Sequence, residues 1–240
     1  MARIILTLLC LWSCIVTVTP LTEDQVKRAT DYIRKHFNPN EANQYAYAVV
    51  FSKQDLLSLN GEKPKILPNE IPNEIANAVR DDKVTYTGRQ MVLARAKDGK
   101  TNKKIHSEYR LLFPPTGSSV SPVQDIVNKN PSPASAIFYT LNSPCVERCV
   151  KPDDQRNIIE KLEVFKKYNN NINNINKAFV YNKLYSLNVS KIDEIWDGLM
   201  RINAHMDVYR CFDGKCLRCF DTSKNTYKNK DFCVGKKKKN

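Results

Sequence analysis

Two short stretches, far apart along the chain, limit what it can fold into. The first is Lys104-Ile105-His106-Ser107-Glu108-Tyr109, which reads as a helix start, and the second is Ser143-Pro144-Cys145-Val146-Glu147-Arg148-Cys149. One imidazole and two thiols make three ligands for a zinc ion, and Glu108 is left over as a proton carrier. Three protein ligands leave a fourth position for water, which is the arrangement of a catalytic site rather than a closed structural one. Each residue also has a plain alternative. His106 alone is a surface or capped histidine, Glu108 an acidic residue in a first turn, and two cysteines in an exported chain are a disulfide. The joint reading requires a fold that carries both stretches to one point.

At 240 residues the chain can hold one substantial core. Its start is different from the rest. Arg3, the apolar run Ile4 to Val18 and the exit Thr17-Val18-Thr19-Pro20 predict a cleaved secretory signal over residues 1–19, with a short anchoring helix as the competing reading. The run is short for a membrane span, and no later stretch is apolar enough to be a transmembrane segment. The net charge of +13 favours polyanions such as nucleic acid, glycosaminoglycan or anionic membrane, although a charged surface also serves solubility alone. The run Lys236 to Lys239 is a candidate polyanion contact.

The periodicity predicts a helix over 22–37, with Thr22 as N-cap and Val26, Ala29, Ile33 and Phe37 on one face. Tyr45 to Phe51 reads as a first strand. Residues 53–83, with Gly61, Pro64, Pro68 and Pro72, read as an insertion carrying a short helix at 72–80. Thr85 to Lys97 reads as the second strand, stopped by Asp98-Gly99. The helix with His106 and Glu108 ends before Pro114-Pro115, and a Pro/Ser-rich connection over 114–134 holds a helical turn at 122–128. Ala136 to Leu141 is an apolar run of the kind buried on both sheet faces. Cys145 and Cys149 open the next helix, over 145–168, with a break allowed at Asp153-Asp154. An Asn-rich loop follows, then a strand at Phe179 to Leu187, a helix at Ile192 to Ala204 and a strand at Met206 to Phe212. This order predicts an α/β fold with a central five-stranded sheet over 20–210, and a Cys-rich basic tail over 211–240.

Helix N-termini at His106 and at Cys145 would favour thiolate over thiol, which zinc requires. Zinc lowers the pKa of a bound water, and Glu108 could carry that proton to a substrate ring and then to leaving ammonia. His-x-Glu followed by Pro-Cys and a second cysteine is the pattern of zinc-dependent nucleobase deaminases. From about residue 22 to 212 the chain resembles the AID/APOBEC branch of the cytidine deaminase superfamily. With its signal segment and Cys-rich tail, it most resembles the secreted novel AID/APOBEC-like deaminases. The resemblance implies a three-layer α/β/α sandwich with a five-stranded mixed sheet, one zinc on His106, Cys145 and Cys149, and Glu108 as general acid/base. It also implies hydrolysis of cytosine to uracil in single-stranded DNA or RNA, or in a nucleoside. Cys145 and Cys149 are spaced C-x3-C where C-x2-C is commoner, the segment between Glu108 and Pro144 is longer than usual, and Asn142 stands where the family usually has tryptophan. Substrate-pocket candidates are Asn142 and Ser143, with Tyr109, Tyr139 and Tyr185 as aromatic platforms for a base or, alternatively, as packing. A deaminase fold that binds polyanions without turnover is the competing function. A secreted ribonuclease would need two histidines in one cleft, and the chain has three in all.

Cys211, Cys216, Cys219 and Cys233 predict two disulfides in one of three pairings, with a second zinc knot as the alternative. Asn188-Val189-Ser190 is an N-glycosylation sequon. His36 and His205 read as structural.

Overall fold

The computed structural model describes residues 21–37, 43–99, 104–168, 175–186, 190–221 and 229–235. The expected signal segment 1–19, the sequon asparagine Asn188 and the run Lys236 to Lys239 lie outside the described residues. In chain order the elements are α1 (Glu23–Phe37), β1 (Tyr45–Phe51), α2 (Lys53–Leu59), α3 (Pro72–Arg80), β2 (Thr85–Thr87), β3 (Met91–Arg95), α4 (Ser107–Leu112), α5 (Pro122–Lys129) and β4 (Ser135–Asn142). A 3-10 helix (Glu160–Tyr168), β5 (Asn176–Lys183), α6 (Ile192–Asn203), β6 (Asp207–Phe212), β7 (Lys215–Arg218) and α7 (Lys230–Val234) complete the fold.

β1 is the interior strand around which the sheet is laid out, because all of Tyr45–Phe51 is buried. It pairs antiparallel with β3 on one edge and with β4 on the other. The strand order is β2-β3-β1-β4-β5-β6-β7, with β4, β5 and β6 mutually parallel. Parallel neighbours need crossover connections. The turns and 3-10 helix after β4 supply the first, and α6 supplies the second.

The sheet is mixed, as expected, but it has seven strands rather than five. Two local causes account for the difference. The expected strand over 85–97 breaks at Gly88-Arg89-Gln90 into the β2–β3 hairpin, closed by the Gly88 N–H on the Met91 carbonyl at 2.8 Å. There the Gln90 N–H turns to Glu70 Oε1 at 2.7 Å. The second cause is Asp213-Gly214, whose φ angles of 51° and 71° make a two-residue hairpin turn and fold β7 back on β6.

Side chains of β1 alternate between two cores, as the two-residue period of a strand requires. Tyr45, Tyr47, Val49 and Phe51 join residues of α1 and α3 on one face. Ala46, Ala48 and Val50 join residues of α4, α5, α6 and α7 on the other. Residues 53–83 are therefore part of the tyrosine-face core, through Leu59, Ile66, Leu67, Ile75, Ala78 and Val79. Within them α2 had no counterpart in the sequence reading, although Ser52 and Asp55 cap it reciprocally.

Residues beyond 211 also pack with the rest of the fold. Cys219, Phe220, Cys233 and Val234 are buried in the alanine-face core, and the Tyr181 hydroxyl donates to the Cys233 carbonyl at 2.6 Å. The disulfides are Cys211–Cys216, across the β6–β7 pair, and Cys219–Cys233, which ties α7 to the end of β7. All four tail cysteines are thereby used, which removes the second zinc knot. The expected helix over 145–168 is instead a series of turns followed by the 3-10 helix. Pro152 explains the break, because it disfavours helical backbone at Lys151 and has no N–H to donate. Among the described residues no helix is long and apolar enough to cross a membrane.

Candidate metal centre

The site lies where the parallel strands β4 and β5 end, the usual place for a cleft in a sheet of this kind. Asn142 ends β4 and Ser143 follows it, Tyr185 lies past β5, and α4 approaches on the alanine face. His106 is the N-cap of α4, and its carbonyl accepts the Arg110 N–H at 3.2 Å. Its side chain makes no capping bond. Nδ1 instead faces Cys149 Sγ at 3.2 Å and Cys145 Sγ at 3.6 Å, and the two sulfurs are 3.3 Å apart. Cys145 and Cys149 are both buried and are not joined to each other. The disulfide alternative for this pair is therefore not what the structure has.

These separations suit one tetrahedral ion. Zn–S bonds of ~2.3 Å and Zn–N bonds of ~2.0–2.1 Å place ligand atoms roughly 3.5–3.8 Å apart. The three observed separations are at that edge or a few tenths shorter. His106, Cys145 and Cys149 are also the one group of metal-capable side chains that converge among the described residues.

The electrostatics prepare the sulfurs. Cys145 is pulled down to about 4, chiefly by the hydrogen bond from Cys149, with burial opposing and His106 assisting. Cys149 is pushed well above the usual thiol range as the partner that keeps the proton, and burial adds to this. His106 is held above its ordinary value, first by its contact with Cys145. The dipole expected from a helix at Cys145 is missing, because that segment is a turn. In its place the Cys149 N–H donates directly to Cys145 Sγ at 3.4 Å.

Glu108, in the first turn of α4, is buried. Its Oε1 accepts from the Thr140 hydroxyl at 2.7 Å, and its Oε2 from the Ser107 hydroxyl at 3.1 Å. It lines, together with His106 and Cys145, a cleft of about 600 Å³. That volume is within the range of small-molecule sites and large enough for a nucleobase with its sugar.

The family model for Secreted Novel AID/APOBEC-like Deaminase 1 matches residues 23–237. The chain belongs to that family. No curated protein and no solved structure matches it.

In this family member the pocket candidates separate by strand geometry. Asn142, Ser143 and Tyr185 line the cleft. Tyr185 presents its ring to His106 at 6.4 Å between centroids, and its backbone N–H donates to Ser143 Oγ at 3.0 Å. Tyr139 does not line the cleft. It precedes Thr140 on β4, so it projects to the opposite face, where it stacks on Tyr47 at 4.6 Å. Tyr109 stacks on Phe113 at 4.1 Å and is likewise outside the cleft lining. His36 stacks on Tyr32 at the end of α1, and His205 follows α6; neither lines the cleft.

The structure adds residues that no motif marked. Arg95, Lys104 and Arg148 line the cleft with Asp98 and Glu147, so its rim carries both signs of charge. Gln44 lines it too and hydrogen-bonds into the Glu108 cluster. Its position just before a strand gave no signal in the sequence.

Proposed function

We propose that this chain is an exported, zinc-dependent hydrolytic deaminase that converts cytosine to uracil in single-stranded nucleic acid or in a nucleoside. The observation that carries the reading is the convergence of one imidazole and two unjoined sulfurs beside a cleft that a buried carboxylate also lines. His106, Cys145 and Cys149 would hold the ion. Zinc bound there supplies the lowered water pKa that lets hydrolysis run near neutrality. Glu108 would take a proton from water and give it to the ring nitrogen of the base, then take the remaining proton from the hydroxyl added at the amino-bearing carbon and give it to the departing amine. In sum, water adds at the amino-bearing carbon and ammonia leaves. Tyr185, beside His106, presents an aromatic surface to the base.

The basic residues of the rim and the net charge of +13 support a polyanionic substrate. Two disulfides and the family description support export. Helix residues in both cores support the three-layer α/β/α reading.

The test is mass-spectrometric detection of uracil from cytosine-containing DNA, RNA and cytidine, with zinc measured in the same preparations. Wild type should carry close to one zinc per chain and form uracil. Glu108→Ala should keep the zinc and form none. Zinc-loaded wild type that deaminates none of the three substrates would leave the non-catalytic polyanion binder as the better account.

A further inference from the structure

The carboxylate of Glu108 is held from behind by a residue outside the motif. Gln44 stands immediately before β1, and its carbonyl accepts the Ala96 N–H at 2.8 Å. Its backbone is thus fixed where β1 and β3 part. Its carboxamide then spans the floor of the cleft. Oε1 accepts the Asn142 N–H at 3.1 Å, while Nε2 donates to Thr140 Oγ1 at 3.0 Å and approaches Glu108 Oε1 at 3.4 Å.

The direction of this chain of bonds follows from donor and acceptor chemistry. A backbone N–H only donates, so the Gln44 oxygen must face Asn142 and the Gln44 nitrogen must face Thr140 and Glu108. The Thr140 hydroxyl has one proton. With Gln44 donating to its oxygen, that proton goes either to Glu108 Oε1 at 2.7 Å or to the Asn142 carbonyl at 3.1 Å. The carboxylate is nearer and charged, and it is the stronger acceptor. Thr140 and Glu108 are both buried, so water does not readily replace either bond.

We propose that Gln44 is a positioning residue. Acting through the Thr140 hydroxyl, it aims the Glu108 carboxylate into the cleft, and its effect on rate rests on the deaminase reading above. Released from this clamp, the carboxylate can swing on its side-chain torsions, and a displacement near 1 Å is enough to cost about a hundredfold in rate.

The variants are Gln44→Met, which keeps the length without the amide, Thr140→Val, which keeps the shape without the hydroxyl, and Thr140→Ser, which keeps the hydroxyl. Gln44→Met and Thr140→Val should each lower kcat by about ten- to a hundredfold with KM and zinc content near wild type, each losing some Tm with its hydrogen bonds to the buried cluster. Together they should lose no more than the larger single loss, since both break one chain of bonds. Thr140→Ser should retain most of kcat.

A second arm needs no turnover. The side-chain amide resonance of Gln44 should shift in Glu108→Gln and in Thr140→Val. Additive losses in kcat, an unchanged kcat in Gln44→Met, or an amide resonance indifferent to Glu108→Gln would each overturn the assignment. A wild type without deaminase activity would overturn the function and the predicted rate effect, while the amide arm would still decide whether Gln44 holds Glu108.

Discussion

Gly88→Ala should destabilise the β2–β3 hairpin. A Cβ built on Gly88 lies 1.8 Å from Glu70 Oε2, 2.8 Å from Glu70 Cδ and 2.6 Å from the Tyr86 hydroxyl. The Glu70 carboxylate would have to leave. It is buried, and it accepts the Gln90 N–H at 2.7 Å and the Tyr86 hydroxyl at 2.6 Å. Hydrogen bonds to a charged group contribute about 1.5–3 kcal/mol each, so losing both costs about 3–6 kcal/mol. That is a large share of the ~5–15 kcal/mol that holds a typical domain folded. The assay is urea unfolding, reading the midpoint at constant slope. Repeating it in a Glu70→Ala background tests the cause, because the carboxylate that meets the methyl is then gone. The added cost of Gly88→Ala should fall to about 1 kcal/mol there, with the remaining contact at the Tyr86 hydroxyl. A loss below about 1 kcal/mol in wild type, or the same large loss in both backgrounds, would refute the reasoning.

Metal-stripped protein should alkylate at Cys145 at pH 6, because that thiol is pulled down to about 4, while Cys149, pushed up, stays unlabelled; peptide mass spectrometry reads the site, and equal labelling would contradict the asymmetry. Replacing Cys219 and Cys233 together with serine should lower stability by about 3 kcal/mol, the chain-entropy figure for a loop of this length, measured by denaturant titration under non-reducing conditions. If single-stranded nucleic acid occupies the cleft rim, Arg148→Ala and Lys104→Ala should each weaken binding uniformly across sequences and flatten the salt dependence by about 0.7 in the log–log slope. Sequence-selective loss at unchanged slope would place these cations elsewhere.

What the sequence disclosed, and what it hid, follows the range of the interactions involved. β1 was legible to the residue because its β-branched and aromatic side chains are buried on both faces. α1 and α6 were legible because their apolar residues recur at helical spacing. The metal-capable trio was legible because imidazole and thiolate chemistry restricts which residues can serve, whatever the fold around them. The β2–β3 break was hidden because its cause is Glu70, a residue outside the hairpin, whose carboxylate takes the Gln90 N–H out of strand pairing. The turns at Cys145 read as helix in the sequence because two cysteines four apart share a helix face, whereas Pro152 disfavours helical backbone just beyond them. For β7 the signal is present, since Asp213-Gly214 after a strand is a hairpin turn, but the cysteines beside it read as a tail.

The same distinction explains why Glu108 could be named from the sequence and Gln44 could not. Glu108 is two residues from the metal-capable His106, so its relation to that residue is fixed by one helical turn. Gln44 reaches Glu108, Thr140 and Asn142 only because β1 lies between β3 and β4 in the sheet. Neither Gln44 nor Thr140 is bound to its position by a ligand's chemistry, because a different pair of polar side chains at the same two places could make an equivalent clamp. Residues that hold a metal are restricted by element preference and spacing, whereas residues that aim an acid are restricted only by where strand pairing puts them. The clamp on Glu108, which sequence motifs cannot reach, is therefore set by β1 and β4, the neighbouring strands whose pairing fixes the distance from Gln44 to Thr140.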